Sequence, residues 1–448
     1  MTIKSTLSLR AQENLQINNI MLEGVIRVNS NKYDENSNLS GNINLGVAEN
    51  QLMTKELADI MSQVNTVDPK LFGYGQNPSG SKILRDHFAN NIFNHYFKPH
   101  EPVHAEHIVV AAGCSSIVDN FTFSVCDPGD GILITAPFYG GFNTDIMVKS
   151  KCKVIAAHLG DVPAFGVEQI EVMQQAVDQA VQDGVRVRAF VVTNPHNPLG
   201  RCFPREVIIE FLKFASKNQL HILFDEIYAL SVFDHALSGK AKEEQPDHTP
   251  FISVLSLPNI QDYCEKELVH VAYGMSKDFC LNGFRCGCLV SPWNEDVINA
   301  MGSIAVFTWI SSTTEAMIIK LLEDPETIEK FAKTNQARLA ESYTLAVDTL
   351  REHNIPYIPA QGGHFLWVDL RQYIPQSFAA AASAGERKIE RNLWNAMLDE
   401  GVFLNPGEVF TENKVGFFRL TFSVPPAMLR QGLERMIKGC QATLMMAP

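Results

Sequence analysis

The sequence predicts an α/β fold: a large domain whose mostly parallel, seven-stranded sheet lies between helices, and a smaller α+β domain assembled from the N- and C-terminal segments. Three observations predict it. Between about residues 107 and 291, short apolar runs rich in β-branched residues alternate with stretches of helical period, the pattern of a parallel sheet covered on both faces. After about residue 310 this gives way to long helical segments with a few isolated strand-like runs. The length, 448 residues, is too great for one small core and suits a large unit carrying a second domain. The expected divisions are 1–60, joining the small domain, 61–310 as the large domain, and 311–448 as the rest of the small one.

The strands expected in order are HIVVAA, GILITA, VIAAHL, RAFVVT, LHILF, LVHVAY and CGCLV. Between the fourth and fifth, PREVIIEFLKFASKNQ places Val207, Ile208, Phe211, Leu212 and Phe214 on one side and offers Pro204 for the first helical position, which makes it a crossover helix. Beyond residue 310 come a helix over 326–352, strands at HFLWVDL and VGFFRLTFS, and a closing helix near 427–441.

Composition narrows the function. With 46% hydrophobic and 19% charged residues the chain has enough apolar surface to bury and is globular. A net charge of −13, without a basic run interleaved with aromatics, disfavours nucleic acid. No stretch reaches 18 consecutive apolar residues and the N-terminus has no apolar signal core, so neither a membrane span nor secretion is expected. Nine scattered cysteines fit no disulfide framework or metal ribbon, and a cytoplasmic location fits best.

In such sheets the reactive groups collect where the chain leaves the carboxyl ends of strands. Those positions hold GCSS (113–116), PFY (137–139), NPHNPLG (194–200), DEIY (225–228) and GMSK (274–277). Gly113, Cys114 and Ser115 at a helix start offer backbone N–H groups to an anion, and Arg285 with the Ser276 hydroxyl adds charge and a donor. Asp225, at the end of an apolar run, is costly to bury ionised unless a cation or a protonated ring nitrogen meets it. Asn197 and Tyr228 are donors, and Lys277 is an amine. Singly, each has an ordinary packing explanation. Together, a phosphate cup, an acid for a protonated nitrogen, donors for a phenolate oxygen and a lysine for an aldehyde describe pyridoxal 5′-phosphate.

Over about residues 40–440 the sequence resembles the fold-type I pyridoxal phosphate enzymes, the aspartate aminotransferase superfamily, and within it 1-aminocyclopropane-1-carboxylate (ACC) synthase-like proteins. The likeness is carried by GVAENQL (46–52), CDPGDGILITAPFYGGFN (126–143), TNPHNPLG (193–200), FDEIY (224–228), SKDFCLNGFRCG (276–287) and FFRLTFS (417–423). The resemblance implies the aspartate aminotransferase fold, with Lys277 linked to the cofactor's aldehyde and Asp225 on its ring nitrogen. It implies Asn197 and Tyr228 on the phenolate oxygen, Tyr139 on the ring face, and Cys114, Ser115, Ser276 and Arg285 on the phosphate. Tyr74, in LFGYGQNPSG, matches the tyrosine that reaches the neighbouring subunit's phosphate, which implies a homodimer. Arg419 matches the arginine that holds the substrate α-carboxylate, and Ala48 and Glu49 fall in the substrate-binding AEN tripeptide. Position 274 is Gly where the family usually has a Ser or Thr phosphate ligand, so the cup is expected to be weaker or completed differently.

The resemblance implies that the Lys277 amine removes the substrate α-proton. Glu49 then suggests a sulfonium substrate, S-adenosylmethionine, whose γ-carbon to sulfur bond breaks to release methylthioadenosine. An amino-acid aminotransferase remains the alternative, since YGQNPSGSKILR is closer to the aminotransferase pattern. A dimeric binding protein without catalysis is a third, against which Lys277, Asp225 and Arg285 argue.

Overall fold

The computed structural model describes residues 6–15, 20–245, 249–374 and 384–445. In chain order, β1 is Ile43–Asn44 and the next seven strands build one sheet: β2 (Ile108–Ala111), β3 (Gly131–Ala136), β4 (Lys153–His158), β5 (Val187–Thr193), β6 (His221–Asp225), β7 (Val269–Gly274) and β8 (Gly287–Val290). Their order is β2-β8-β7-β6-β5-β3-β4, and only β8 runs antiparallel to its neighbours. All seven expected strands are present in this sheet.

Alternate residues of each strand enter different cores, as the period of two requires. Ile108, Val110, Phe190, Val192, Ile222, Phe224, Val269 and Val271 face one layer of helices. Val109, Ala111, Ala189, Val191, Leu223, Ala272 and Leu289 face the other, which includes the helix Cys114–Val125. The crossover helix spans Arg205–Asn218 with Pro204 just outside it as N-cap, one position earlier than expected, its fixed extended backbone serving the turn into the helix.

The smaller unit contains β9 (Tyr357–Ile358), β10 (Phe365–Asp369), β11 (Val402–Phe403), β12 (Asn405–Pro406) and β13 (Phe417–Thr421). Four of these form the antiparallel sheet β12-β13-β10-β9, and β11 pairs with β1. That pairing brings the segment from Ile20 to Leu45 to the small unit, where Ile20, Val28, Ile43 and Leu45 share a core with residues from Leu339 to Cys440. The helix Pro325–Glu352 runs through both units: Ile328 and Phe331 pack in the large core, Leu339 to Leu350 in the small one. The closing helix, Pro426–Met445, covers the small sheet with Leu429, Leu433 and Met436. Among the described residues, no single helix is long and apolar enough to cross a membrane.

Candidate active site

Because β2, β3, β5, β6 and β7 run the same way, the loops that follow them open on one edge of the sheet, where a cavity of about 420 Å³ lies between the two units. Its floor carries Cys114, Ser115, Tyr139, Asn197, Asp225, Tyr228, Ser276, Lys277 and Arg285. Met21, Leu22 and Val25 of the helix Ile20–Asn29, with Val47, Ala48 and Arg419, close it from the other side.

At one end, Gly113 caps the helix Cys114–Val125 with φ +86°, a conformation that favours glycine. A Cβ there would also lie 2.5 Å from Arg285 Nη2, so the missing side chain makes room for the guanidinium. Arg285 Nη1 donates to the Asn282 carbonyl at 2.9 Å. The helix start therefore meets a fixed cation, which is the chemistry of an anion cup. Gly274 has a packing reason of its own. A Cβ at 274 would stand 2.9 Å from Cys114 Sγ and 3.0 Å from the Cys286 carbonyl oxygen, and that thiol already donates to the Tyr273 carbonyl at 3.2 Å. The sulfur crowds the space that a side chain at 274 would need.

In the middle, Lys277 Nζ donates to the Ala48 carbonyl at 2.5 Å. Oriented by its neighbours, the Asn282 amide donates to the Ser276 carbonyl at 2.8 Å and accepts from Lys277 Nζ at 3.3 Å. Burial, with the Arg419 charge, pulls the Lys277 amine down to about 8, so a nucleophilic fraction exists near neutral pH. Asp225 is buried, its carboxyl pushed up to about 7 by desolvation, and its Oδ1 has no hydrogen-bond partner among the described residues. An orphaned carboxylate oxygen in such a place is completed by a cation or a protonated nitrogen.

At the other end, Arg419 is only 2% exposed, with its guanidinium between the rings of Phe365 (4.9 Å) and Phe410 (4.8 Å). Nη1 donates to Asn197 Oδ1 at 2.9 Å and Nη2 to the Gly46 carbonyl at 2.7 Å. Nε has no partner among the described residues, so Arg419 keeps donors for an anion. Since Asn197 Oδ1 is engaged, what Asn197 has left to offer a ligand is its amide donor. Tyr228 is buried and Tyr139 half-buried, and desolvation pushes Tyr139 up to about 12 and Tyr228 higher still, keeping both hydroxyls as neutral donors. Tyr228 is fixed by edge-on contacts with His364 (5.4 Å) and Phe365 (5.3 Å).

Two expected residues lie elsewhere. The Glu49 side chain is exposed and does not line the cavity, although its charge still acts on Lys277. Tyr74 is 96% exposed, stacked on Trp309 with ring centroids 5.5 Å apart, and is not part of the cavity wall. The structure adds residues that sequence reasoning missed. Asn282 sat unremarked inside a quoted motif. Asp145 lies six residues after Tyr139 with no motif to mark it, and the apolar Met21, Leu22 and Val25 read as an ordinary helix face.

The wall thus offers an anion cup, an unpartnered buried acid, neutral phenol and amide donors, and an amine, which fit the phosphate, ring nitrogen, phenolate oxygen and aldehyde of pyridoxal 5′-phosphate. Comparison with known proteins agrees. The family described as "Aminotransferase class I and II" matches residues 37–436. The ACC synthase-like protein 1 of Takifugu rubripes is 32% identical over 438 residues, covering 96% of this chain and 66% of that protein, so this chain spans just under two thirds of its length. The probable aminotransferase gliI of Aspergillus fumigatus is 30% identical over 97% of this chain and 96% of its own length. A relative in Homo sapiens, 31% identical over 90% of this chain and 68% of its own length, is named as a probable inactive ACC synthase-like protein 2. Among solved structures, aspartate aminotransferase from Thermus thermophilus with maleate superimposes with a TM-score of 0.71 at 19% identity, over 97% of this chain and 100% of that one, which shows the fold. By the family match and these relatives, the chain belongs to the class I and II aminotransferases, proteins of the aspartate aminotransferase fold whose cofactor is pyridoxal 5′-phosphate.

Proposed function

We propose that the protein is a pyridoxal phosphate enzyme acting on S-adenosylmethionine, in which Lys277 takes the α-proton and the γ-carbon to sulfur bond then breaks, releasing methylthioadenosine. The observation that carries the enzymatic part is the single cavity in which Lys277, Asp225 and Arg419 meet. The choice of substrate rests on the ACC synthase-like relatives.

Bound pyridoxal phosphate supplies an electron sink for the pair left on the α-carbon. Lys277 would meet its aldehyde, Asp225 would hold the ring nitrogen protonated, and Asn197 and Tyr228 would donate to the phenolate oxygen. Tyr139 packs on the ring face, while Cys114 and Ser115 through backbone N–H groups, Ser276 and Arg285 hold the phosphate. Arg419 takes the substrate carboxylate as a bidentate pair, a task suited to its planar fork. Ala48 and Glu49 lie on the substrate side: the Ala48 carbonyl is already bonded to Lys277, and Glu49 offers a negative charge at the cavity's edge. The Lys277 amine, once free, accepts the α-proton. With S-adenosylmethionine bound, ring closure would form the α-carbon to γ-carbon bond as the γ-carbon to sulfur bond breaks and methylthioadenosine leaves, whereas elimination would also need a β-proton to be taken up by a base. Two copies pair through the exposed face of Phe72, Tyr74 and Phe307, the last 83% exposed, which sends Tyr74 to the partner's phosphate.

A second reading, amino-acid aminotransfer, is favoured by the exposure of Glu49, since a solvated carboxylate discriminates weakly for a sulfonium. The deciding experiment offers S-adenosylmethionine, with and without acceptors, and a panel of amino acids, following methylthioadenosine and keto acids. Methylthioadenosine release, reduced more in Glu49→Gln than side transamination of methionine, supports the lyase. Ready keto-acid formation with no methylthioadenosine replaces it by the aminotransferase.

A further inference from the structure

Asp278, next in the chain to Lys277, is an acid that the site's chemistry leaves without a task. It lies outside the cavity wall and is only 2% exposed. Its Oδ2 accepts from the Leu230 N–H at 2.8 Å and the Tyr273 hydroxyl at 3.0 Å, and its Oδ1 accepts from the Ser231 hydroxyl at 2.6 Å. All three donors are neutral. A carboxylate buried among neutral donors costs more than an apolar side chain of similar volume, so stability alone does not explain an acid here. What the three bonds achieve is geometric: they tie the turn that carries Lys277 to the segment following Tyr228 and to the end of β7.

The ties continue on both sides. Ser231 has one hydroxyl proton, which at 2.6 Å goes to Asp278, so Ser231 Oγ accepts from His364 Nε2, 3.2 Å away. His364 is fully buried, its carbonyl accepts from the Phe422 N–H at 2.9 Å, and it precedes Phe365, the ring that packs on Arg419. On the other side, the Asp278 carbonyl accepts from Asn335 Nδ2 at 3.5 Å, and Asn335 Oδ1 accepts from Asn50 Nδ2 at 2.7 Å. Asn50 stands two residues beyond Ala48, whose carbonyl holds the Lys277 amine. One buried polar chain thus runs from the Ala48 segment, past Lys277, to the wall of Arg419.

We propose that Asp278 is a positioning residue for Lys277: its carboxylate anchors the lysine's backbone so that the amine is presented to the cofactor aldehyde and, once free, to the substrate α-proton. A lysine amine rides on a flexible stem, so where it goes depends on how firmly its backbone is set. The Ala48 carbonyl holds the tip, and Asp278 fixes the base. The role is that of a tether, and the charge is incidental to it. An asparagine at 278 keeps the bonds from Leu230 and Tyr273 on its one carbonyl oxygen, and its NH2 donates to Ser231, whose proton then turns to His364 in the other tautomer. An alanine keeps none of the three.

This role rests on the reading of Lys277 as the residue that meets the cofactor aldehyde, and the experiment keeps the two apart. Pyridoxine 5′-phosphate, which lacks the aldehyde, is titrated by fluorescence against cofactor-free full-length protein. The rate at which pyridoxal 5′-phosphate becomes fixable by borohydride on the Lys277 peptide is then followed at about pH 8, above the value of about 7 to which burial pushes the Asp278 carboxyl. In the wild type, label on a lysine other than 277 sinks the reading of Lys277, and the tether with it. Given label on Lys277, Asp278→Ala should bind pyridoxine 5′-phosphate within about twofold of the wild type yet fix pyridoxal 5′-phosphate roughly ten- to a hundredfold more slowly, the scale on which misplacing a reacting group by about 1 Å acts. Asp278→Asn should recover most of that rate. Ser231→Ala, which removes one donor and the link to His364, should fall between the wild type and Asp278→Ala, and it takes over the test if circular dichroism shows Asp278→Ala unfolded. Equal losses with both probes would make Asp278 a general packing residue, and Asp278→Asn as slow as Asp278→Ala would make its charge the cause. Either outcome overturns the tether while leaving Lys277 in place, as does a wild-type rate in Asp278→Ala, or in Ser231→Ala where Asp278→Ala does not fold.

Discussion

The two walls of the cavity are built differently. The floor comes from loops that leave neighbouring parallel strands, so each functional group sits within three or four residues of a strand end: Ser115 after β2, Tyr139 after β3, Asn197 after β5, Tyr228 after β6 and Lys277 after β7. The opposite wall comes from segments far apart in sequence. Met21 and Leu22 sit on a helix near the N-terminus, Ala48 in an irregular stretch after β1, and Arg419 in the middle of β13. The floor is held by the sheet's own backbone bonds. The other wall is held by long-range contacts such as Arg419 to Gly46 and Lys277 to Ala48, so it depends on how the small unit docks. Substitutions in the floor should therefore act on chemistry and cofactor, and those in the second wall on substrate.

The largest effect is expected from Lys277→Ala. Removing a general base costs on the order of 10²–10⁴ in proton transfer, so exchange of the substrate α-proton with deuterated solvent, followed by NMR, should be lost while the fold persists. In the wild type, borohydride should fix the cofactor to the peptide containing Lys277. Exchange at the wild-type rate, or labelling of another lysine, would remove Lys277 from its proposed place and the floor from its proposed role.

Arg419→Lys tests the second wall. An ammonium keeps the charge but cannot reproduce the planar fork held between Phe365 and Phe410, and loss of one charged contact costs about 1.5 to 3 kcal/mol, roughly ten- to a hundredfold in amino-acid affinity. Cofactor affinity should hardly move, because Arg419 lies across the cavity from the anion cup. Equal losses for substrate and cofactor would erase the distinction between the walls.

The same distinction explains what was legible in the sequence. Strand-end motifs are local, so the sheet and the floor residues could be read from spacing, and the match of FFRLTFS supplied Arg419. Glu49 was expected on the substrate because it falls in the AEN tripeptide that resembles ACC synthase-like proteins. In this irregular stretch, which has no strand alternation to read, Glu49 faces solvent while Ala48 is buried. Asp145 and Met21 were invisible because helical spacing alone does not say which face meets a cavity. Gly274 looked like a missing ligand because sequence shows an absent side chain but not the neighbour that fills its space.

Gly274→Ser gives the smallest expected effect and the finest test, since it sits where cup and strand packing compete. If the cup were merely short of a donor, the new hydroxyl would tighten binding of pyridoxine 5′-phosphate. The structure favours the opposite outcome. The added Cβ would be 2.9 Å from Cys114 Sγ, which can turn away, and 3.0 Å from the Cys286 carbonyl, which lies just before β8 and accepts from the Met275 N–H at 3.0 Å, so it cannot move without disturbing the end of the sheet. Overpacking of this kind costs about 1 to 3 kcal/mol, so the melting temperature should fall and phosphate-ester affinity should not rise. The double variant Cys114→Ala, Gly274→Ser removes the sulfur but not the carbonyl, so it should recover part of the lost stability. It should also bind the phosphate ester more tightly than Cys114→Ala alone, because the hydroxyl now has the space that the thiol held. If the single Gly274→Ser variant is as stable as the wild type and binds more tightly, the cup lacked a ligand and the packing of Cys114 is not the reason for glycine at 274.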